Sequence, residues 1–110
     1  MNYQHKELAG GRWNQLSFME QMANIGSEVE RALNWTAKNN ADYAKKAAER
    51  AIELLDLTIA GIKKFASLKE LTRLREAVVD YFFGKNQFAS SDILWRKYFF
   101  HFTYAARKHH

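Results

Sequence analysis

A chain of 110 residues with a net charge of +5 has room for one domain around a single buried core and needs neither metal nor disulfide to hold it. It contains no cysteine, which excludes a disulfide framework and thiolate-ligated zinc or iron–sulfur centres and fits a reducing, cytoplasmic setting. Five glycines and no proline favour uninterrupted helices, no apolar run approaches the roughly 18 residues of a membrane span, and the amino terminus lacks the apolar core of a signal peptide.

In chain order, residues 1–16 read as an arm. Gly10-Gly11 interrupts any helix, and Tyr3, Leu8 and Trp13 have no regular spacing, so Trp13 is the residue expected to pin the arm to the rest. Ser17 stands three residues before Glu20, a capping-box spacing that starts a first helix running to about Lys38. Phe18, Met22, Ile25, Val29, Ala32, Leu33 and Thr36 form a narrow apolar stripe along it. Gly26 lies beside that stripe, as a close helix crossing would require, and a second Ser-x-x-Glu, Ser27 to Glu30, allows a break or restart.

Asn39-Asn40 supplies a short turn and an N-cap, so the second helix, Ala41 to about Gly61, should lie antiparallel to the first. This is the central element. Ala44, Ala47, Ala48 and Ala51, then Leu54, Leu55, Thr58 and Ile59, make one face, with alanines that admit a close neighbour at one end and larger residues at the other. Asp42, Lys45, Lys46, Glu49, Arg50, Glu53 and Asp56 fall on the other side. Gly61 suits a left-handed position after the helix, and because the apolar pattern continues to Ile62 and Phe65 the boundary is expected between Gly61 and Ser67. Ser67 and Glu70 suggest a third capping box before Leu71, Leu74, Val78, Tyr81 and Phe82, and Gly84 closes that third helix. Lys85 to Ser90 is a polar loop, and Ser90 or Ser91 with Asp92 starts the last helix, about Asp92 to Arg107.

The last helix is apolar almost all round. Four helices of this length cannot cover every face of one of them, so a homodimer is expected, with Trp35, Trp95, Phe99 and Phe102 as candidate interface residues. The resulting expectation is an all-α, four-helix, mostly antiparallel up-and-down bundle over residues 17–108, preceded by the arm.

Charge is uneven along the chain. Residues 1–60 hold seven Lys or Arg and eight Asp or Glu, a net of −1, whereas residues 61–110 hold ten and four, a net of +6, together with eleven of the sixteen aromatics. Cations interleaved with rings are the composition of a nucleic-acid surface, and Lys63, Lys64, Lys69, Arg73, Arg96, Lys97 and Arg107 are the candidate phosphate contacts. No helix-turn-helix, zinc-finger or RNP-type pattern accompanies them, and there is no dinucleotide-binding glycine string or histidine ligand spacing, so no cofactor is expected. His5 and His101 are single histidines, and no chemistry is assigned to the terminal His109 and His110.

Two short patterns point to catalysis instead. Arg96 to His101 is an Arg-x4-His string that resembles the motif of the HEPN family of small helical domains. The resemblance implies action on RNA, with Arg96 on phosphate and His101 as acid or base. A five-residue step turns a regular helix by about 140°, which separates the two side chains, and Lys97 stands where the family often has another polar residue. Glu49, Glu53 and Asp56, with Glu28 and Glu30 in the helix before, look like the carboxylates of MazG-type all-α nucleotide pyrophosphohydrolases, which implies Mg²⁺ held against a polyphosphate. Arg31 departs from that pattern where a paired carboxylate is wanted.

Beyond these patterns, GRWNQLSFMEQMANIGSEVERALNW, RAIELLDLTI and LKELTRLREAVVDYFFG are similar to a family of small, all-helical prokaryotic proteins, a resemblance that implies a compact helical domain and brings no activity with it. A non-enzymatic binding or assembly module, meeting RNA or a protein through its second half, asks least of the residues.

Overall fold

The computed structural model describes residues 11–108. They form four α-helices: α1, Phe18–Ala37; α2, Ala41–Gly61; α3, Phe65–Phe83; and α4, Asp92–Lys108, preceded by a short 3₁₀ turn at Trp13–Gln15. The irregular arm residues Tyr3 and Leu8, together with His5, His109 and His110, lie outside the described residues.

Local chemistry sets most of the boundaries. Ser17 Oγ accepts the Glu20 amide and Glu20 Oε1 accepts the Ser17 amide, at 3.1 and 2.9 Å, closing the capping box that begins α1. Asn39 takes a positive φ of 59°, and Asn40 caps α2 by accepting the Tyr43 amide. Ser91 Oγ accepts the Leu94 amide at the start of α4.

The α2–α3 boundary falls between Gly61 and Ser67 as expected, but three local signals there and in α1 are not used. Ser27 does not restart a helix, because its hydroxyl donates to the Ala23 carbonyl and α1 continues through it. Gly61 is the last residue of α2, and extended Ile62 ends the helix in place of a left-handed glycine. Ser67 is not a cap, since α3 begins a turn earlier at Phe65 with extended Lys64 before it and no side-chain cap. The unfilled amides of that first turn are at a bundle end open to water.

Paired side chains fix the topology. Glu28 meets Arg50 and Trp35 meets Tyr43 between α1 and α2; Asp56 meets Arg75 and Ala48 packs by Phe82 between α2 and α3; Gly26 meets Phe99 and Phe18 meets Phe102 between α1 and α4. In each case a later residue on one helix faces an earlier one on the other, so these neighbours are antiparallel. Tyr81 against Trp95 and Glu70 with Tyr98 repeat the pattern between α3 and α4. The chain is an up-and-down bundle.

The core runs through Met22, Ile25, Val29 and Leu33 of α1, Ala51, Leu54 and Leu55 of α2, Leu71, Leu74 and Val78 of α3, and Trp95 and Phe99 of α4. At the alanine end of α2, Ala47 and Ala48 close against Ala32, and Phe82 fills the remaining space from α3. Trp13 is buried at the leucine end and its Nε1 donates to Thr58 Oγ1 at 3.0 Å, so residues 11–16 are pinned to the bundle through this residue, as expected of Trp13.

Glu53 corrects the face assignment of α2. It is only 6% exposed, because α2 packs on α1, on α3 and on the turn at Trp13, and its buried arc is wider than one stripe.

Candidate functional site

The antiparallel topology decides which cations meet. The end of the bundle that carries the start of α1 also carries the end of α2, the start of α3 and the end of α4. Lys63 and Lys64 in the α2–α3 connection, Lys69 in the first turns of α3, and Arg107 and Lys108 closing α4 therefore share one end, although about forty residues separate the two groups along the chain. All are exposed. Arg73 is exposed one turn further along α3, and Arg75 is tied to Asp56 at 2.6 Å.

The outer face of α4 continues from this end. Ile93, Lys97, Phe100 and Tyr104 recur at helical spacing along one exposed stripe. Phe100 is 65% and Tyr104 58% exposed, and their rings lie near parallel at 26° with centroids 6.2 Å apart. His101, exposed, stands beside them. This is a pair of open, parallel π-faces flanked by Lys97, Arg107 and Lys108.

The other face of α4 enters the bundle and takes Trp95 and Phe99 out of the expected interface. Trp95 and Phe99 are buried within this chain's own core, Phe102 packs against it, and Trp35 is half-buried against Tyr43. The large apolar groups that α4 leaves open are Ile93, Leu94, Phe100 and Tyr104. Apolar residues on every face of a helix show that some are uncovered, but only the direction of packing picks them out.

At Gly26 the backbone of α1 comes close against Phe99 of α4. A Cβ on it would stand 2.8 Å from the Phe99 Cβ and 2.9 Å from the ring. Beside this crossing a groove of about 390 Å³ runs between the helices, lined among others by Glu30, Leu33, Trp95, Arg96 and Arg107. The Trp95 indole N–H, buried there, has no acceptor.

Arg96 is held across the groove. Its Nε donates to Glu30 at 3.0 Å, an Nη donates to Asn34 Oδ1 at 3.1 Å, and Asp92 lies 3.6 Å away one turn back. His101 does not line the groove. The structure thus does not bring Arg96 and His101 to one site within a chain, and the guanidinium proposed for phosphate is already paired.

The carboxylates of the second pattern are also apart in environment. Glu49 is exposed, Glu53 is buried and engaged, and Asp56 is paired with Arg75. Glu28 is shared by Arg31 and Arg50, and Glu30 is taken by Arg96. Among the described residues no group of three or more His, Asp or Glu is placed to hold a metal ion.

Two tyrosines have perturbed acidity. Burial raises Tyr98 well above its ordinary value of 10.0, helped by the charge of Glu70 and by the hydrogen bond Tyr98 donates to that carboxylate. Burial also raises Tyr81, with Asp92 adding to the shift and Arg96 opposing it. Both are held protonated and neither is poised as a base at neutral pH.

No helix among the described residues is long and apolar enough to cross a membrane. Compared with known proteins, the chain matches no family model, no curated protein and no solved structure. The local resemblances therefore stand on the quoted residues alone.

Proposed function

We propose that this protein is a non-enzymatic binding module that takes single-stranded nucleic acid, RNA first, on the outer face of α4 and the basic end of the bundle. The near-parallel, exposed Phe100–Tyr104 pair carries the reading. Bases stack on open aromatic faces whatever their sequence, and the cations beside the rings meet the backbone between them. Lys97, Arg107 and Lys108 are adjacent, and Lys63, Lys64 and Lys69 extend the positive surface around the same end. Arg73 borders it.

The absence of a groove-reading pattern fits sequence-tolerant binding. Pairing of Arg96 with Glu30 and Asn34 weighs against the HEPN-like ribonuclease reading, and the dispersed environments of Glu49, Glu53 and Asp56 weigh against the MazG-like one. A cytoplasmic location belongs to the same reading, as does self-association. Exposed Ile93 and Leu94 extend the α4 face with side chains that a second copy can cover.

Labelled mixed-sequence RNA and its DNA counterpart, titrated with the protein across a salt series, test this. RNA affinity should fall steeply with salt, and Phe100→Ala with Tyr104→Ala should weaken binding by about 1–3 kcal/mol per stacked base. No binding at low salt would remove the reading and leave a protein-interaction bundle. RNA cleavage lost in His101→Ala would restore the ribonuclease.

A further inference from the structure

A second concentration of cations and rings lies at the other end of the bundle, in the half of the chain whose net charge is negative. Arg31 and Trp35 of α1 face Tyr43, Lys46 and Arg50 of α2 across an open cleft of about 320 Å³. Helix geometry assembles it: residues 31 and 35 lie along one face of α1, with Lys38 just past its end, and 43, 46 and 50 along the facing side of antiparallel α2.

The Trp35 and Tyr43 rings meet edge to face at 4.9 Å, which holds Tyr43 upright at the mouth while leaving it 48% exposed. Lys38 Nζ lies 5.2 Å from the Trp35 ring centroid and Lys46 Nζ 5.6 Å from that of Tyr43. Below them Glu28, its side chain mostly buried, accepts from Arg31 at 3.0 Å and from Arg50 at 3.2 Å. One carboxylate thus orients two guanidinium groups and neutralises one charge. Arg31, Lys46 and Arg50 supply the charged groups of the cleft, and no residue lining it is acidic.

Oriented guanidinium groups recognise phosphate through paired donors, and a ring wall beside them offers contact to a planar base. The volume is at the small end of ligand sites, enough for one base and a short phosphate chain. We propose that this cleft binds a nucleoside phosphate, with the phosphates on the exposed Arg31 and Lys46 and the base against Trp35 and Tyr43. Such a group exists both as a free nucleotide and as the phosphorylated end of a strand. The cleft uses none of the residues of the α4 face, so either site can fail without the other.

Calorimetric titration of the whole protein at low salt with ADP, adenosine, pyrophosphate and a 5′-phosphorylated dinucleotide tests the assignment. ADP should bind more tightly than adenosine or pyrophosphate. Arg31→Ala with Lys46→Ala, both exposed positions, should weaken it by about tenfold or more while circular dichroism and Tm show an intact fold. Lys45→Ala, an exposed position on α2 outside the cleft, should leave ADP binding unchanged. Preference for ADP over the dinucleotide assigns a free nucleotide, and the reverse assigns a strand end. No heat at millimolar ADP, adenosine binding as tightly as ADP, or affinity untouched by the double variant would each overturn the proposal.

Discussion

Helix α1 is held on one side by α2 and on the other by α4, and the two seams are built differently. Against α2 the small residues come as a row, Ala44, Ala47, Ala48 and Ala51, and Arg50 is paired with Glu28, while just beyond the seam the 3₁₀ turn ties Trp13 to Thr58 of α2. Against α4 the close approach rests on one glycine beneath one phenylalanine, the seam opens into a groove, and the buried Trp95 N–H has no acceptor. The difference teaches that the α2 seam is closed by small residues along its length, whereas α4 is anchored at Trp95 and Phe99, packs Tyr98 and Phe102 beside them, and presents Ile93, Leu94, Phe100 and Tyr104 outward.

The largest effect should come from the better-packed seam. Leu55→Ala removes a side chain with no exposure and should cost about 2–5 kcal/mol in chemical denaturation. A loss below about 0.5 kcal/mol would contradict its place in the core. Thr58→Val keeps the shape but strands the Trp13 indole N–H, so a cost of about 1–3 kcal/mol is expected. At the other seam, Gly26→Ala gains helix propensity of up to about 1 kcal/mol but drives a methyl into the Phe99 Cβ, which cannot swing aside without moving α4. A net loss of about 1–2 kcal/mol should result, and a gain in Tm would show that Phe99 yields to the added methyl and the crossing is loosely packed.

Trp95→Phe sharpens the comparison because it deletes an unpaired donor instead of creating one. The lost ring volume is then offset, and the change should stay within about 1 kcal/mol. The smallest effect is a pH slope. Tyr98 is raised in the folded state, so its contribution to stability is complete below its unfolded value near 10 and is lost as pH rises beyond it. Unfolding titrations above pH 10 should show a decline that is shallower in Tyr98→Phe, with Tyr81 supplying the remaining slope. Parallel curves would mean that the environment of Tyr98 does not persist in solution.

Much of the fold was legible along the chain because its signals are local. A serine three residues before a glutamate, two asparagines between periodic segments, and apolar residues at intervals of three and four act within a turn or two, and α1, the α1–α2 turn and the start of α4 appear where those signals place them. The failures at Ser27, Gly61 and Ser67 involve signals of the same kind that the surrounding helix or an open end overrode. Glu53 was misassigned because a stripe counted on one helix does not reveal how many neighbours will cover it.

The candidate sites were less legible, since each depends on residues from different helices. Sequence by itself determined four helices, their order, the close approach at Gly26 and the cation-rich second half, because propensity, capping and periodicity are properties of neighbouring residues. Only the tertiary structure decided that Arg96 is spent on Glu30 and Asn34, that Trp95 and Phe99 face inward while Phe100 and Tyr104 face out, and that Arg31, Trp35, Tyr43, Lys46 and Arg50 share a cleft in the half with negative net charge. A charge count sums along the chain, whereas binding depends on which charges antiparallel packing sets side by side.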